Sequence, residues 1–207
     1  MCNYTEQLSI DIELEERFDA KIDEKESLLT SPYLNGFANP NIPIITEKEP
    51  KIIHTDYSWG LIPFWAKNDD FKSLNAVIET AHEKPSFRSI TQNRCLIIAT
   101  GFFEWHWNDE KGRSKDKYKI QSDQDEIFSF AGFHNHWVNP DTGEIKNTFT
   151  MCTTVANELM EYIHNHKKRM PVVLSKEDES KWLDPSTKII DFAFPAYDIK
   201  LKAKKIS

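Results

Sequence analysis

Between Cys95 and Thr154 the chain alternates short β-branched or aromatic runs with polar turns. Leu96–Ala99, Phe102–His106, Tyr118–Ile120, Ile127–Phe133 and Thr148–Thr154 read as strands. Stretches such as Asn108-Asp-Glu-Lys-Gly112 and Asn139-Pro-Asp-Thr-Gly143 part them as turns, and such short connections argue for antiparallel pairing. Helical spacing follows. Leu159, Met160 and Ile163 share one face of Asn157–His164. Ser175-Lys-Glu-Asp178 reads as a capping box ahead of Trp182-Leu183, stopped by Asp184-Pro185. The N-terminal pattern is divided: Leu8, Ile10, Ile12 and Leu14 alternate like a strand, whereas Ile10, Leu14 and Phe18 recur at helical spacing. The acidic fill of Glu13, Glu15 and Glu16 favours the helix. Residues 21–50, punctuated by Pro32, Pro40, Pro43 and Pro50, read as loop with one short strand, Ile42–Thr46. Together these elements predict an α+β fold with a mostly antiparallel core.

Composition narrows the picture. At 207 residues the chain can bury one sizeable core, and no linker divides it. Hydrophobic residues at 39% and charged residues at 29% describe a soluble globular protein, while 12% aromatic content exceeds what a modest core demands, so some rings are expected to line a groove. The net charge of −7 argues mildly against a protein wrapped in nucleic acid but leaves room for a local basic patch. Cys2, Cys95 and Cys152 form neither a disulfide framework nor a CxxC pair, and the last two lie in apolar runs as buried small hydrophobes. No basic leader and no apolar run of membrane-spanning length is present, so the expected compartment is the reducing cytosol, without a membrane.

Cys2 is the most informative single position. Removal of Met1 would give it a free α-amine beside its thiol, with ordinary pKa values near ~7.7–8.0 and ~8.5, so both groups have reactive forms close to neutral pH. A 1,2-aminothiol condenses with an aldehyde to an imine that the thiol closes to a thiazolidine. Alternatively the amine serves as base for its own thiol, as in N-terminal nucleophile hydrolases. The plain alternative is an accident of the start codon.

Four further stretches have both a structural and a chemical reading. Trp59-Gly-Leu-Ile-Pro-Phe-Trp65 is a rigid aromatic corner, either a core turn or a platform for bases. Asn75 and Glu79 stand at i, i+4, as a cap or as site residues. Glu104 shares a strand face with Phe102; it is either an outward-facing glutamate or a carboxyl whose pKa is raised for acid–base work. Ile163-His-Asn-His-Lys-Lys-Arg-Met-Pro171 is basic, as helix C-termini favour, or a phosphate-binding loop with an acid–base histidine. His164-x-His166 and His134-x-His136 have no carboxylate or cysteine at ligand spacing, so no metal is expected.

In order along the chain, these stretches form a signature. Met-Cys, Trp-Gly-Leu-Ile-Pro-x-Trp, Asn-Ala-x-x-Glu-Thr, Lys-Pro-Ser-Phe-Arg88, Thr-Gly-Phe-Phe-Glu-Trp, Phe-Ser-Phe-Ala-Gly and Ile-His-x-x-x-x-Arg-Met-Pro together resemble the SRAP (SOS response-associated peptidase) family, from Cys2 to about Trp182. The resemblance implies one domain over residues 2–207, with Met1 removed and a barrel-like β core flanked by short helices. It implies a protein that crosslinks to abasic sites in single-stranded DNA, without metal or cofactor, as a monomer, in the bacterial cytosol and on the nucleoid when DNA-bound. Junctions of single and double strands are a further expected target.

Position by position, the resemblance makes Cys2 the nucleophile for the ring-opened abasic sugar and Asn75 a holder of the sugar and the N-terminus. Glu104 becomes the proton shuttle that also assists release of Met1. His164, selected over His166 by spacing, becomes the acid at the ring oxygen. Trp59, Trp65, Lys84, Arg88 and Arg169 are implied to face DNA. A lyase side reaction and N-terminal self-processing are expected with this chemistry. Two departures stand out: Tyr4 and Val77 occupy positions where many relatives carry arginine. Weaker and more salt-sensitive DNA binding is therefore expected, unless Lys84, Arg88, Arg94, Lys167, Lys168, Arg169 or the lysines of residues 200–205 compensate. An N-terminal-nucleophile amidase and a non-catalytic single-strand-binding module are the competing classes.

Overall fold

Every residue of Arg94–Ala99 is buried, so this strand has core on both of its faces. Leu96 and Ile98 join one apolar cluster, with Leu14, Ile45, Ile78, Phe133 and Trp182, while Cys95, Ile97 and Ala99 join a second, with Cys2, Trp59, Phe102, Phe130 and Phe149. The alternation of a strand, one side chain up and the next down, is what places this one run in two cores.

The computed structural model describes residues 2–207; Met1, whose removal the sequence predicts, lies outside the described residues. The strands are β1 (Tyr4–Gln7), β2 (Lys21–Ile22), β3 (Ser31–Asn35), β4 (Ile44–Thr46), β5 (Ile52–Ile53), β6 (Ser58–Trp59), β7 (Asn75–Val77), β8 (Arg94–Ala99), β9 (Gly101–Trp107), β10 (Lys115–Ser122), β11 (Phe128–Val138), β12 (Ile145–Val155), β13 (Arg169–Pro171), β14 (Val173–Leu174) and β15 (Leu201–Lys205). The helices are α1 (Asp11–Phe18), α2 (Glu158–Ile163) and α3 (Glu179–Leu183). A five-stranded sheet runs β15-β10-β9-β1-β3. A larger sheet is built on the path β13-β12-β11-β8-β4, with β6 and β7 added parallel to β12 and β14 antiparallel to β11. The result is an α+β fold with a curled, half-barrel sheet and few helices. No helix among the described residues is long and apolar enough to cross a membrane.

The strands predicted between Cys95 and Thr154 are present and longer than the apolar runs that signalled them, because their polar ends still pair in the ladder, whereas the one predicted at Ile42–Thr46 shortens to Ile44–Thr46. The 8–20 stretch resolves to helix α1, where the Glu13 carboxylate accepts from the Ile10 N–H at 3.0 Å and Leu14 is the one buried side chain. The reading of residues 21–50 is corrected: β3 crosses this segment as the edge of the five-stranded sheet, the place in a sheet that tolerates Pro32. The capping box read at Ser175–Asp178 is corrected: α3 starts later, with Asp178 at its N-cap and no side-chain cap, and Ser175 Oγ donates instead to Asp178 Oδ2 at 2.7 Å.

Candidate active site at the N-terminal cysteine

Glu104 sits in β9, on the face it shares with Phe102, and only 5% of its surface is exposed. Its Oε1 has no hydrogen-bond partner among the described residues. Burial pushes this carboxyl up to about 8, so at neutral pH it is a carboxylic acid. A buried, unsatisfied carboxyl is costly, by about 1–3 kcal/mol or more, and a fold keeps one where chemistry uses it.

His164 caps the C-terminal end of α2, a helix started by the Asn157 side chain, whose Oδ1 accepts from the Met160 N–H at 3.0 Å. His164 Nδ1 lies 2.7 Å from the Arg169 carbonyl oxygen, which makes Nδ1 the protonated nitrogen and leaves Nε2 facing Glu104 Oε2 at 3.8 Å. Lys168, in the left-handed conformation at φ 51°, turns the chain so that this carbonyl returns to the ring. Burial pushes the imidazole down to about 4. The pair therefore meets as a neutral acid and a neutral imidazole, with their one proton on Glu104. Asn165 fixes the spacing by acting as a mock strand against β9. Its Oδ1 accepts from the Trp107 N–H and its Nδ2 donates to the Trp107 carbonyl, each at 3.0 Å.

Cys2 is buried in the second apolar cluster, with Sγ 3.7 Å from the Tyr4 carbonyl oxygen. Burial first, and the charge of Glu104 second, push its thiol well above the ordinary cysteine range. With Met1 still attached, residue 2 therefore carries a protonated thiol. Asn75 Nδ2 donates to Asn3 Oδ1 at 2.9 Å, while Asn75 Oδ1 is buried with no hydrogen-bond partner among the described residues. Asn75 and Glu79 do not share a helix face. Asn75 begins β7 and Glu79 lies in the 3-10 turn after it, so each makes separate contacts.

Trp59 and Arg169 belong to the scaffold, which corrects their expected place against DNA. Trp59 is 0% exposed, stacks on Phe149, and donates its indole N–H to the Leu74 carbonyl at 2.8 Å, directly before Asn75. Gly36 packs so closely on this ring that a Cβ there would stand 3.1 Å from it, and its N–H meets the Asn3 carbonyl at 2.8 Å. One buried indole thereby positions both Asn75 and the segment bearing Cys2. Arg169 forms a two-pronged pair with Glu79, at 2.9 and 2.8 Å. Arg94 is likewise buried, donating to the carbonyls of Trp182, Asp184, Pro185 and Thr187.

The remaining expected DNA-facing residues do come to one surface. Trp65 is exposed beside Phe71, and its indole N–H reaches the Pro85 carbonyl at 3.3 Å, in the turn that displays Lys84 and Arg88. Phe64, 63% exposed, extends this surface; the sequence reading passed over it between the two tryptophans. The paired histidines hold no metal geometry: His134 Nε2 meets Glu47 at 2.7 Å and His136 Nδ1 meets Asn147 at 2.6 Å. Asp23, His54 and Asp56 have ligand atoms within 4.8 Å of one another, but Asp23 already accepts from the Thr55 backbone and hydroxyl.

The half-barrel α+β fold thus buries Cys2, and it buries a Glu104–His164 pair whose carboxyl and imidazole lie 3.8 Å apart. The family model described as SOS response associated peptidase (SRAP) matches residues 1–207, and the chain belongs to that family. It is 43% identical over 137 residues to the abasic site processing protein YoqW of Bacillus subtilis, covering 65% of this chain and 58% of that one. It is 31% identical over 174 residues to the abasic site processing protein HMCES of Gallus gallus, covering 70% of this chain and 50% of that one. The chain thus spans little more than half the length of these curated relatives. A crystal structure of a Bacteroides thetaiotaomicron protein superposes with a TM-score of 0.88 at 35% identity, over 100% of this chain and 92% of the other. A Bordetella bronchiseptica protein shares the fold at TM-score 0.78 and 21% identity, over the full length of both chains.

Proposed function

We propose that this protein processes abasic sites in single-stranded DNA by forming a covalent adduct through Cys2 once Met1 is removed. The observation that carries the reading is Glu104, a buried carboxylic acid with an unpartnered oxygen, placed to act on both Cys2 and His164. The family assignment and the names of the relatives point the same way.

An abasic deoxyribose is mostly a closed hemiacetal, and only its open form exposes the C1′ aldehyde. Opening requires a proton at the ring oxygen. His164 in the free protein is neutral, so Glu104 holds the proton that reaches the ring oxygen, through the His164 Nε2 position or directly. The Cys2 amine then adds to the aldehyde and water leaves, giving an imine. The thiol, protonated until that step, adds across the C=N bond, its S–H proton going to nitrogen, and the C–S bond closes the thiazolidine. Amine first and thiol second is the order that a buried, protonated thiol imposes. Asn75, held by Asn3 and anchored by Trp59 through Leu74, offers its free Oδ1 to a sugar hydroxyl. The same imine permits β-elimination as a lyase side reaction. The acid–base pair also suits hydrolytic removal of Met1. The protein acts as one unit over residues 2–207, as a cytosolic monomer without cofactor or metal, with Lys84, Arg88 and Trp65 toward the strand or a junction.

The test is a denaturing gel, run without borohydride, of protein mixed with a single-stranded oligonucleotide carrying one abasic site. A stable shifted band lost in Cys2→Ala is the expected result. Binding without a band would replace this reading with a single-strand-binding module, and amide hydrolysis without DNA binding would replace it with an amidase.

A further inference from the structure

Tyr4 opens β1 inside a cluster of rings. Its ring stacks on Tyr33 at 5.1 Å and 22°, and meets the edges of Trp105 at 5.0 Å and Phe37 at 6.4 Å. The alternation of β1, β3, β9 and β10 sets these rings and Lys117 on one face of the five-stranded sheet, with buried Phe103 as the floor. Glu104, one residue from Trp105, points to the opposite face. Tyr33 is 40% and Phe37 65% exposed, so among the described residues these two rings lie open to solvent.

The ammonium of Lys117 lies 4.3 Å from the ring centre of Tyr33 and 4.6 Å from that of Phe103. It has no carboxylate partner among the described residues, whereas its neighbours do: Lys119 pairs with Glu6 and Lys205 with Asp116. In a chain of net charge −7, a cation left on aromatic faces is available to an anion. The cluster lies across the sheet from Glu104 but borders the segment that bears Cys2: Tyr4 follows Cys2 by two residues, and Phe37 follows Gly36, whose N–H holds the Asn3 carbonyl.

We infer that this face is a stacking platform for a nucleobase next to the lesion, resting on the reading of the protein as a single-strand abasic-site processor. The base lies on Tyr33 within the Tyr4, Phe37 and Trp105 cluster, and displaces the flexible Lys117 stem from the ring. The freed ammonium reaches the phosphate of the same nucleotide. Aromatic faces with interleaved lysines are what single-strand binding requires: every base has a π-face, and the charge follows the backbone.

The experiment uses the full chain and a fluorescent single-stranded oligonucleotide bearing a tetrahydrofuran abasic analogue, which lacks an aldehyde and reports binding alone. Tyr33→Ala is expected to raise Kd about tenfold, and Tyr33→Trp to stay within twofold of wild type, which separates loss of a ring from misfolding. On a second oligonucleotide whose nucleotides flanking the lesion also lack bases, wild type binds more weakly and Tyr33→Ala adds no further loss. Equal Kd values for wild type and Tyr33→Ala on the first oligonucleotide would overturn the inference. So would an equal tenfold loss on both, or a change in oligomeric state in place of DNA affinity. Adduct formation by wild type on a true abasic site is scored in parallel. Its failure would sink the covalent reading while leaving the stacking result to stand or fall on its own.

Discussion

Burial keeps Glu104 protonated and His164 neutral near pH 7, and these two groups govern how the protein responds to pH. Glu104 titrates near 8, above its ordinary 4.5, so the folded chain holds a proton that the unfolded chain gives up. The stability from this group is intact below about 4.5 and is lost as pH rises through about 8. His164 has the opposite sign: its folded value, about 4 against 6.5, makes its contribution complete above about 6.5 and lost as pH falls toward 4. Urea unfolding at pH 6 and pH 9 should therefore show wild type losing about 2 kcal/mol more than Glu104→Gln, whose side chain does not titrate. Equal losses would place the Glu104 titration elsewhere. The same substitution should slow adduct formation by ~10²–10⁴-fold and remove the fall in rate above pH 8, read from single-turnover kinetics. In the sequence, Glu104 was legible as a carboxylate in an aromatic strand. The neutrality of His164 and the protonated state of Cys2 were not, because both depend on burial by residues distant in the chain.

The elements hold these residues through contacts that leave little trace in a sequence. Asn165 is the clearest case, since nothing marks an asparagine as a substitute strand until β9 lies beside it. Asn165→Ala should cost about 1–2 kcal/mol of stability and let water reach Glu104, moving the alkaline limb of the pH–rate profile below 8. An unchanged limb would mean that α2 is held to β9 by other contacts. Arg94 is one of the cations that the sequence leaves open to compensate toward DNA, but β8 is buried on both faces. Its guanidinium instead satisfies carbonyls at the end of α3 and just beyond, and stands over Trp182. Arg94→Met should lower stability by about 3 kcal/mol or more in denaturant unfolding, since those carbonyls lose their donors. The strands themselves were legible where β-branched and aromatic residues cluster. Edge strand β3 was hidden by Pro32 and a polar context, and the parallel additions of β6 and β7 carry no sequence signal of their own.

At the scale of the whole molecule, charge and ring surface set how DNA is held. Counterion release makes the salt slope proportional to the phosphates neutralised, about 0.7 for each contact to a single strand. Uncharged Tyr4 and Val77 thus predict a shallower slope than in a Tyr4→Arg, Val77→Arg variant, contrary to the greater salt sensitivity that these two positions suggest in the sequence. Anisotropy titrations from low to high salt would show this, and an equal or steeper slope would contradict it. The fold class and the four candidate site residues were legible because the motifs follow one another in family order. The division of the aromatics into buried scaffold (Trp59) and open surface (Phe64, Trp65, Tyr33, Phe37) was not, because both kinds look alike in a sequence. The most direct measurement is the intact mass of the adduct between Met1-free protein and an abasic single strand, made without reductant and followed by peptide mapping. The account predicts the summed masses less one water, with the DNA on residue 2, and no such species from Cys2→Ser. A species that survives only after borohydride, or one formed equally by Cys2→Ser, would contradict it.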